Sequence, residues 1–423
     1  MEDNARRSRR DLIQNIAIVA LSLSAVLLFA QSQIYNLISH RGSLSGPISG
    51  TAAELSAQQS PLTAPVRVAV TGAYARYGAI LTTDAEDFSE LGLLLKESLG
   101  SAGTMVPCQE RDFLAALESA GVYYDFLSPL PLSVLSALTG GDGSASEETA
   151  RQLVLSVQGA AVRLCTWDGA DTYRSCLIPS VSAEDLMQIT NNCAFGAAIF
   201  AMDQAELLPD YGLVAPCSLL LEELPVLPVL SAANPLSSTD QLLTALGFNP
   251  STKNRYTDSG GTEIIRETDR SLQVEPDGTV VYKSSGDALS VSAAGGEPTA
   301  LEAATGVFAL LRSLLGDSPG EASLYLEEIR QSGERTTLRF CYQVDGVPIR
   351  FSDGAAAAEA TLSGTSVTEL SLRFRQYTDS GETSLLLPQR QALAIAAATR
   401  QGAELSVCYA DGGASVSAQW VAE

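Results

Sequence analysis

A chain of 423 residues, 46% of them hydrophobic, is long enough for two or three folded units and too apolar for a disordered tail. A formal net charge of −23 argues against nucleic acid, whose recognition needs clustered positive charge. With His40 as its one histidine and seven cysteines in all, the chain nearly excludes a catalytic triad or multi-histidine zinc site, and it is not a disulfide scaffold.

The amino end carries Arg6, Arg7, Arg9 and Arg10 against Glu2, Asp3 and Asp11, a short tail over 1–11. The apolar run 12–30, LIQNIAIVALSLSAVLLFA, has the length a helix needs to cross about 30 Å of hydrocarbon. Arginines directly before such a run place the tail in the cytoplasm and everything after Gln31 outside the membrane. No second run of that length follows. The competing reading is a cleaved signal peptide, since Ala30-Gln31-Ser32 weakly resembles a cleavage site. No lipobox cysteine follows the run, which argues against a lipoprotein. Ala17, Ala20 and Ser24 fall on one helical face, with Gln14 and Asn15 near the cytoplasmic end. Small residues allow close helix approach and amides hydrogen-bond between helices, so these five are the candidate helix–helix contact. The plainer alternative puts the amides at headgroup level and treats the small residues as ordinary span composition.

Residues 31–64 form a linker, rich in Ser, Gly, Ala, Gln and Pro from Ser39 onward. A first α+β unit then spans 65–235. VRVAVTG (66–72) and YGAILT (77–82) read as strands. Thr83-x-x-Glu86 resembles a capping box opening a helix over 85–99, where Asp87 and Glu90 suit the macrodipole rather than a metal. VYYDFL (122–127) reads as a strand, 132–138 as a helix and 140–146 as a loop. AAVRLCTWDGADTYRSCLI reads as a hairpin turning at Asp168-Gly169, and Ser182-x-x-Asp185 as a helix start. The stretch 224–235, LPVLPVLSAANP, carries three prolines and is extended, a crossover to a second unit over 236–423.

In that unit Ser238 caps a short helix ending at 246–248. Strands follow near 261–267 and 271–275, and Asp277-Gly278 turns into TVVYK (279–283). Pro298 sits at a first helical position, and 301–315 repeats apolar residues at helical spacing until Gly316. In LRFCYQVDGVPIRF, Leu338, Phe340, Tyr342 and Val344 alternate with Arg339, Cys341 and Gln343, and Asp345-Gly346 turns the chain. Pro348 lacks an amide donor and points to an edge strand. LSLRFRQY (370–377) is one further alternating run with Arg373 and Arg375 on its polar face. YTDSGGT (256–262) recurs as YTDSGET (377–383), two similar hairpin tips that arise from turn-forming residues or from a duplicated unit. The fold class is α+β.

The sequence holds no G-x-S-x-G elbow, S-x-x-K motif, P-loop or EF-hand spacing. Glu222-Glu223 and Glu327-Glu328 suit a glycosidase in principle but read as solvated surface, since adjacent acids diverge. Cys165 and Cys176 flank the first hairpin, which leaves a disulfide open, although apolar surroundings favour buried thiols. Trp167 and Trp420 give no sugar-stacking row. No catalytic, cofactor or metal residue is expected.

A tail, one span, a linker and a multi-unit α+β body resemble the YycH/YycI regulatory proteins of Gram-positive bacteria. The residues that carry the resemblance are ALGFNPSTKNRYTDSGGTEIIRETDRSLQVEPDGTVVYKSSG (245–286) and FCYQVDGVPIRFSDGAAAAEATLSGTSVTELSLRFRQYT (340–378). The second stretch is similar to the strand pair of YycI-like and PepSY-like modules. The resemblance implies a non-enzymatic protein of the cell membrane. Its helix would contact a WalK-like sensor histidine kinase, and a paralogous YycH/YycI-type protein is a further partner. The alternative is an extracytoplasmic ligand-binding or cell-envelope assembly protein with a cleft between its halves.

Overall fold

The computed structural model describes residues 62–193, 196–204, 215–222, 224–252, 254–286, 289–399 and 404–422. The tail, the apolar run with Gln14, Asn15, Ala17, Ala20 and Ser24, His40, linker residues 31–61 and Glu223 lie outside them. Among the described residues no helix is long and apolar enough to cross a membrane. They form an α+β structure of seven α-helices and two sheets, antiparallel except for one strand pair.

The first sheet holds β1 (Pro65–Thr71), β2 (Arg76–Thr82), β3 (Val106–Pro107), β4 (Gly121–Pro131), β5 (Thr149–Gln158), β6 (Ala161–Trp167), β7 (Tyr173–Ile178), β8 (Gly196–Phe200) and β9 (Leu219–Leu221), ordered β3-β7-β6-β5-β4-β1-β2-β8-β9. Its helices are α1 (Ser89–Ser101), α2 (Glu110–Glu118), α3 (Leu132–Leu138) and α4 (Ala183–Asn192). Both faces are covered, which is why β1 and β4 read as continuous apolar runs rather than alternating ones. Val66, Val68, Tyr124 and Leu155 face α1, α3 and α4, while Ala69, Tyr123, Val154 and Cys165 meet Phe113 and Leu117 of α2.

The second sheet holds β10 (Pro228–Ala233), β11 (Arg255–Thr257), β12 (Glu263–Arg266), β13 (Arg270–Val274), β14 (Thr279–Ser284), β15 (Ser323–Ser332), β16 (Arg335–Val344), β17 (Val347–Phe351), β18 (Ala358–Ser363), β19 (Ser366–Arg373), β20 (Gln376–Thr383), β21 (Leu405–Asp411) and β22 (Ser415–Ala422). Its helices are α5 (Thr239–Ala245), α6 (Ala300–Leu315) and α7 (Gln389–Thr399). The order runs β11-β12-β13-β14-β19-β18-β16-β17-β21-β22-β10-β20. β16 is the hub: β15 pairs along one edge, while β18 and β17 share the other. The crossover therefore does more than link two units, because β10 is itself a strand of this sheet, between β22 and β20. One apolar core runs through both sets of elements. Leu135 and Leu138 of α3 share it with Leu301 and Phe308 of α6, and Phe308 lies 6.1 Å from Phe340 ring to ring. Each such side chain contributes about 1.5–3 kcal/mol when fully buried.

Several local expectations give way to the structure. Thr83 caps no helix: its hydroxyl accepts from the Ala64 amide at 3.1 Å, pinning the chain where it enters the body. A single tight turn, Glu86–Phe88, precedes α1. Pro298 lies before the cap of α6, and Thr299 with Glu302 makes the reciprocal capping box. Pro348 lies on an interior strand. It is tolerated because the parallel ladder of β17 with β21 begins only at Ile349, so no bond from residue 348 is needed there. The run 370–377 breaks at Phe374–Arg375, and Arg375 turns inward to the buried carboxylate of Asp411, which also accepts from Tyr377 at 2.8 Å. The repeated YTDSG segment is a hairpin tip only the first time. Tyr256 is exposed beside its tip, whereas Tyr377 is buried within β20. Cys341 and Gln343 are buried like their neighbours, because β15, the partner of β16, packs against β4 of the first sheet. Cys165 stands opposite Ser175 and Cys176 opposite Leu164, so the two thiols point to opposite faces and cannot be bridged. Among the described residues no two cysteines are joined.

Candidate functional site

Where the sheets meet, charge replaces the apolar core. Arg67 on β1, Asp125 on β4 and Gln152 on β5 are register partners, a polar row on the face that carries α2. Asp125 is buried and accepts from five donors: the Leu127 amide at 2.8 Å, Arg151 Nε at 3.1 Å and Nη2 at 3.2 Å, Gln152 Nε2 at 3.2 Å and the Tyr123 hydroxyl at 3.3 Å. Burial alone would raise its pKa, but the charges of Arg151 and Arg67, together with hydrogen bonds from Arg151 and Leu127, hold it below the ordinary value. Arg151 also donates to Glu404 Oε2 at 2.7 Å, just before β21, and so ties the first sheet to the second.

On the other side lies Glu327, which the sequence reading assigned to solvated surface together with Glu328. A bulge between Leu326 and Glu328 displaces it from the β15–β16 ladder, and it is 8% exposed. It accepts from Arg339 Nε at 2.8 Å, from Arg350, and from the Cys341 thiol at 3.0 Å. Burial pushes its pKa up, yet the Arg350 charge and these hydrogen bonds bring the net below the ordinary carboxylate range. Burial and the neighbouring Glu327 charge push the Cys341 thiol up to about 12, so it stays protonated. Glu328 is a rim residue paired with Arg330, and Glu222 is exposed.

Between these clusters is a small cavity of about 120 Å³ whose walls include Arg67, Leu127, Arg151, Pro348, Arg350 and Glu404. β4 makes room for it. Its pairing with β5 is interrupted between Asp125 and Leu130, and Leu127 takes φ 66, a left-handed backbone that a leucine rarely adopts. The Asp125 carboxylate holds it there through the Leu127 amide. A second concavity, about 590 Å³, is an open apolar groove between β9, the crossover residues 224–227 and the segment 383–393. Beside it Val226 and Leu385 are 82% and 96% exposed.

None of the five expected helix-contact residues falls on the described structure. Among the described residues no three His, Cys, Asp or Glu side chains are grouped to hold a metal. The cavity residues escaped the sequence reading, although one signal was present: a single acid, Asp125, inside the otherwise apolar run VYYDFL. No protein-family model matches the chain, and no curated protein does.

Proposed function

We propose that the chain is a membrane-anchored extracytoplasmic regulator that acts without catalysis, through contacts of its apolar helix and its α+β body. The observation that carries the reading is the arginine-flanked run 12–30 placed before a linker and a folded body. The resemblance of 245–286 and 340–378 to YycH/YycI-type proteins supports a WalK-like sensor histidine kinase as partner, its conformational balance biased by the bound helix. Ala17, Ala20 and Ser24, with Gln14 and Asn15, form the contact face. Ala20→Leu should weaken co-purification with the kinase several-fold while the body's circular dichroism is unchanged. An unchanged pull-down removes this face from the proposal.

A second reading, an extracytoplasmic ligand-binding or envelope-assembly protein, is favoured by one specific observation. Polar side chains from both sheets converge on the cavity at Arg67, Arg151, Arg350 and Glu404. The readings are compatible, since a regulator with a ligand pocket reports that ligand to its partner.

A further inference from the structure

The cavity between the sheets holds two unmatched polar groups of opposite kind. Arg67 is 9% exposed and stands opposite Asp125, whose charge it offsets, yet among the described residues its guanidinium makes no hydrogen bond. Its carboxylate neighbour offers it no acceptor site, because the Leu127 amide, Arg151 Nε and Nη2 and Gln152 Nε2 already fill the roughly four lone-pair sites of a carboxylate. Glu404 presents the converse. Its Oε2 takes Arg151, while its Oε1 is buried with no partner. A guanidinium without a hydrogen-bond acceptor and a buried carboxylate oxygen without a donor line the same cavity, and the second is costly as it stands.

We propose that this cavity binds a small oxyanion that carries its own hydroxyl, its carboxylate taken by the Arg67 fork and its O–H donated to Glu404 Oε1. Planar bidentate pairing is what a guanidinium offers a carboxylate. An anion lacking the hydroxyl would meet the Glu404 charge with nothing to donate. The 120 Å³ volume sets the size: at about 30 Å³ per water it equals roughly four waters, the scale of bicarbonate, with glycolate at the upper limit. Arg151 supplies a second positive charge at the wall while remaining tied to Asp125 and Glu404. The left-handed turn at Leu127 is then backbone strain retained to keep the space open. This inference deepens the ligand-binding reading and does not depend on a kinase partner.

The test uses the full-length protein in detergent micelles, at neutral pH and fixed ionic strength. Line broadening of ¹³C-labelled glycolate, bicarbonate and acetate is followed in separate titrations. Glycolate or bicarbonate should bind saturably, at least about tenfold tighter than acetate, which lacks the hydroxyl. Arg67→Met should abolish binding. Glu404→Gln should strengthen acetate and narrow the gap, and it decides the matter alone should Arg67→Met fail to fold. No saturable binding of glycolate or bicarbonate through about 50 mM means the cavity holds water only and overturns the proposal. Acetate binding as tightly as glycolate in the unmodified protein, or a folded Arg67→Met that binds undiminished, overturns it equally. Failure here leaves the helix-contact reading untouched, because that reading is tested by co-purification.

Discussion

Asp125 and Glu327 show how single residues are forced by their surroundings. Each is a buried carboxylate that stays charged because guanidinium groups close on it, Arg151 and Arg67 at one and Arg350 and Arg339 at the other. Breaking such a pair from one side strands the other charge, so Asp125→Asn should cost about 3–5 kcal/mol in urea unfolding, against about 1 kcal/mol or less for removing half-buried Glu328. Both carboxylates titrate below their unfolded values. Their contribution is therefore complete above about pH 5, beyond both ordinary carboxylate values, and is lost as the pH falls through the lowered folded values. Thermal melts should show a steep acid limb that becomes shallower in the Glu327→Gln variant; an unchanged limb would place the acid sensitivity elsewhere. Asp125 left one trace in the sequence, a lone acid in the apolar run VYYDFL, and Glu327 left none. Glu327 stands beside Glu328 as one of two adjacent acids, and only the bulge that displaces one of them distinguishes buried from solvated.

At the scale of elements the sequence was most informative where a turn is local. The Asp345-Gly346 and Asp277-Gly278 hairpins, the Ser182 cap and the helix Leu132–Leu138 all stand where turn chemistry and periodicity put them. It misled where a distant strand decided the outcome. Pro348 looks like an edge residue until β21 arrives in parallel one residue later, and Arg375 looks like surface until Asp411 claims it. Gly346 joins the two cases. Its φ of 81° is turn geometry, but an added Cβ would also sit 2.6 Å from the Leu81 carbonyl oxygen of β2, where the β16–β17 hairpin tip abuts the first sheet. Gly346→Ala should therefore cost more than the roughly 1 kcal/mol of an ordinary glycine substitution, and guanidinium unfolding of the variant measures it.

For the whole molecule, the α+β class was legible, and the assembly of its two sheets was not. A reading in chain order divides the body at the prolines of 224–235, yet β10 from that stretch joins the second sheet, and one apolar cluster holds residues from both sides. Shared burial of this kind couples the halves. Calorimetry of the intact protein should then show one cooperative unfolding transition for the body, and Leu135→Ala should lower it as a unit; two separable transitions would show that the halves are independent. The resemblance to kinase-associated regulators rests on strand patterns and on an apolar run outside the described residues. The decisive measurement is in-cell crosslinking and pull-down of the full-length protein beside a secreted version lacking Leu12–Ala30. Capture of a sensor kinase only when the helix is present is the expected result. Capture of the same envelope protein by both versions would contradict the account and make the α+β body the binding module.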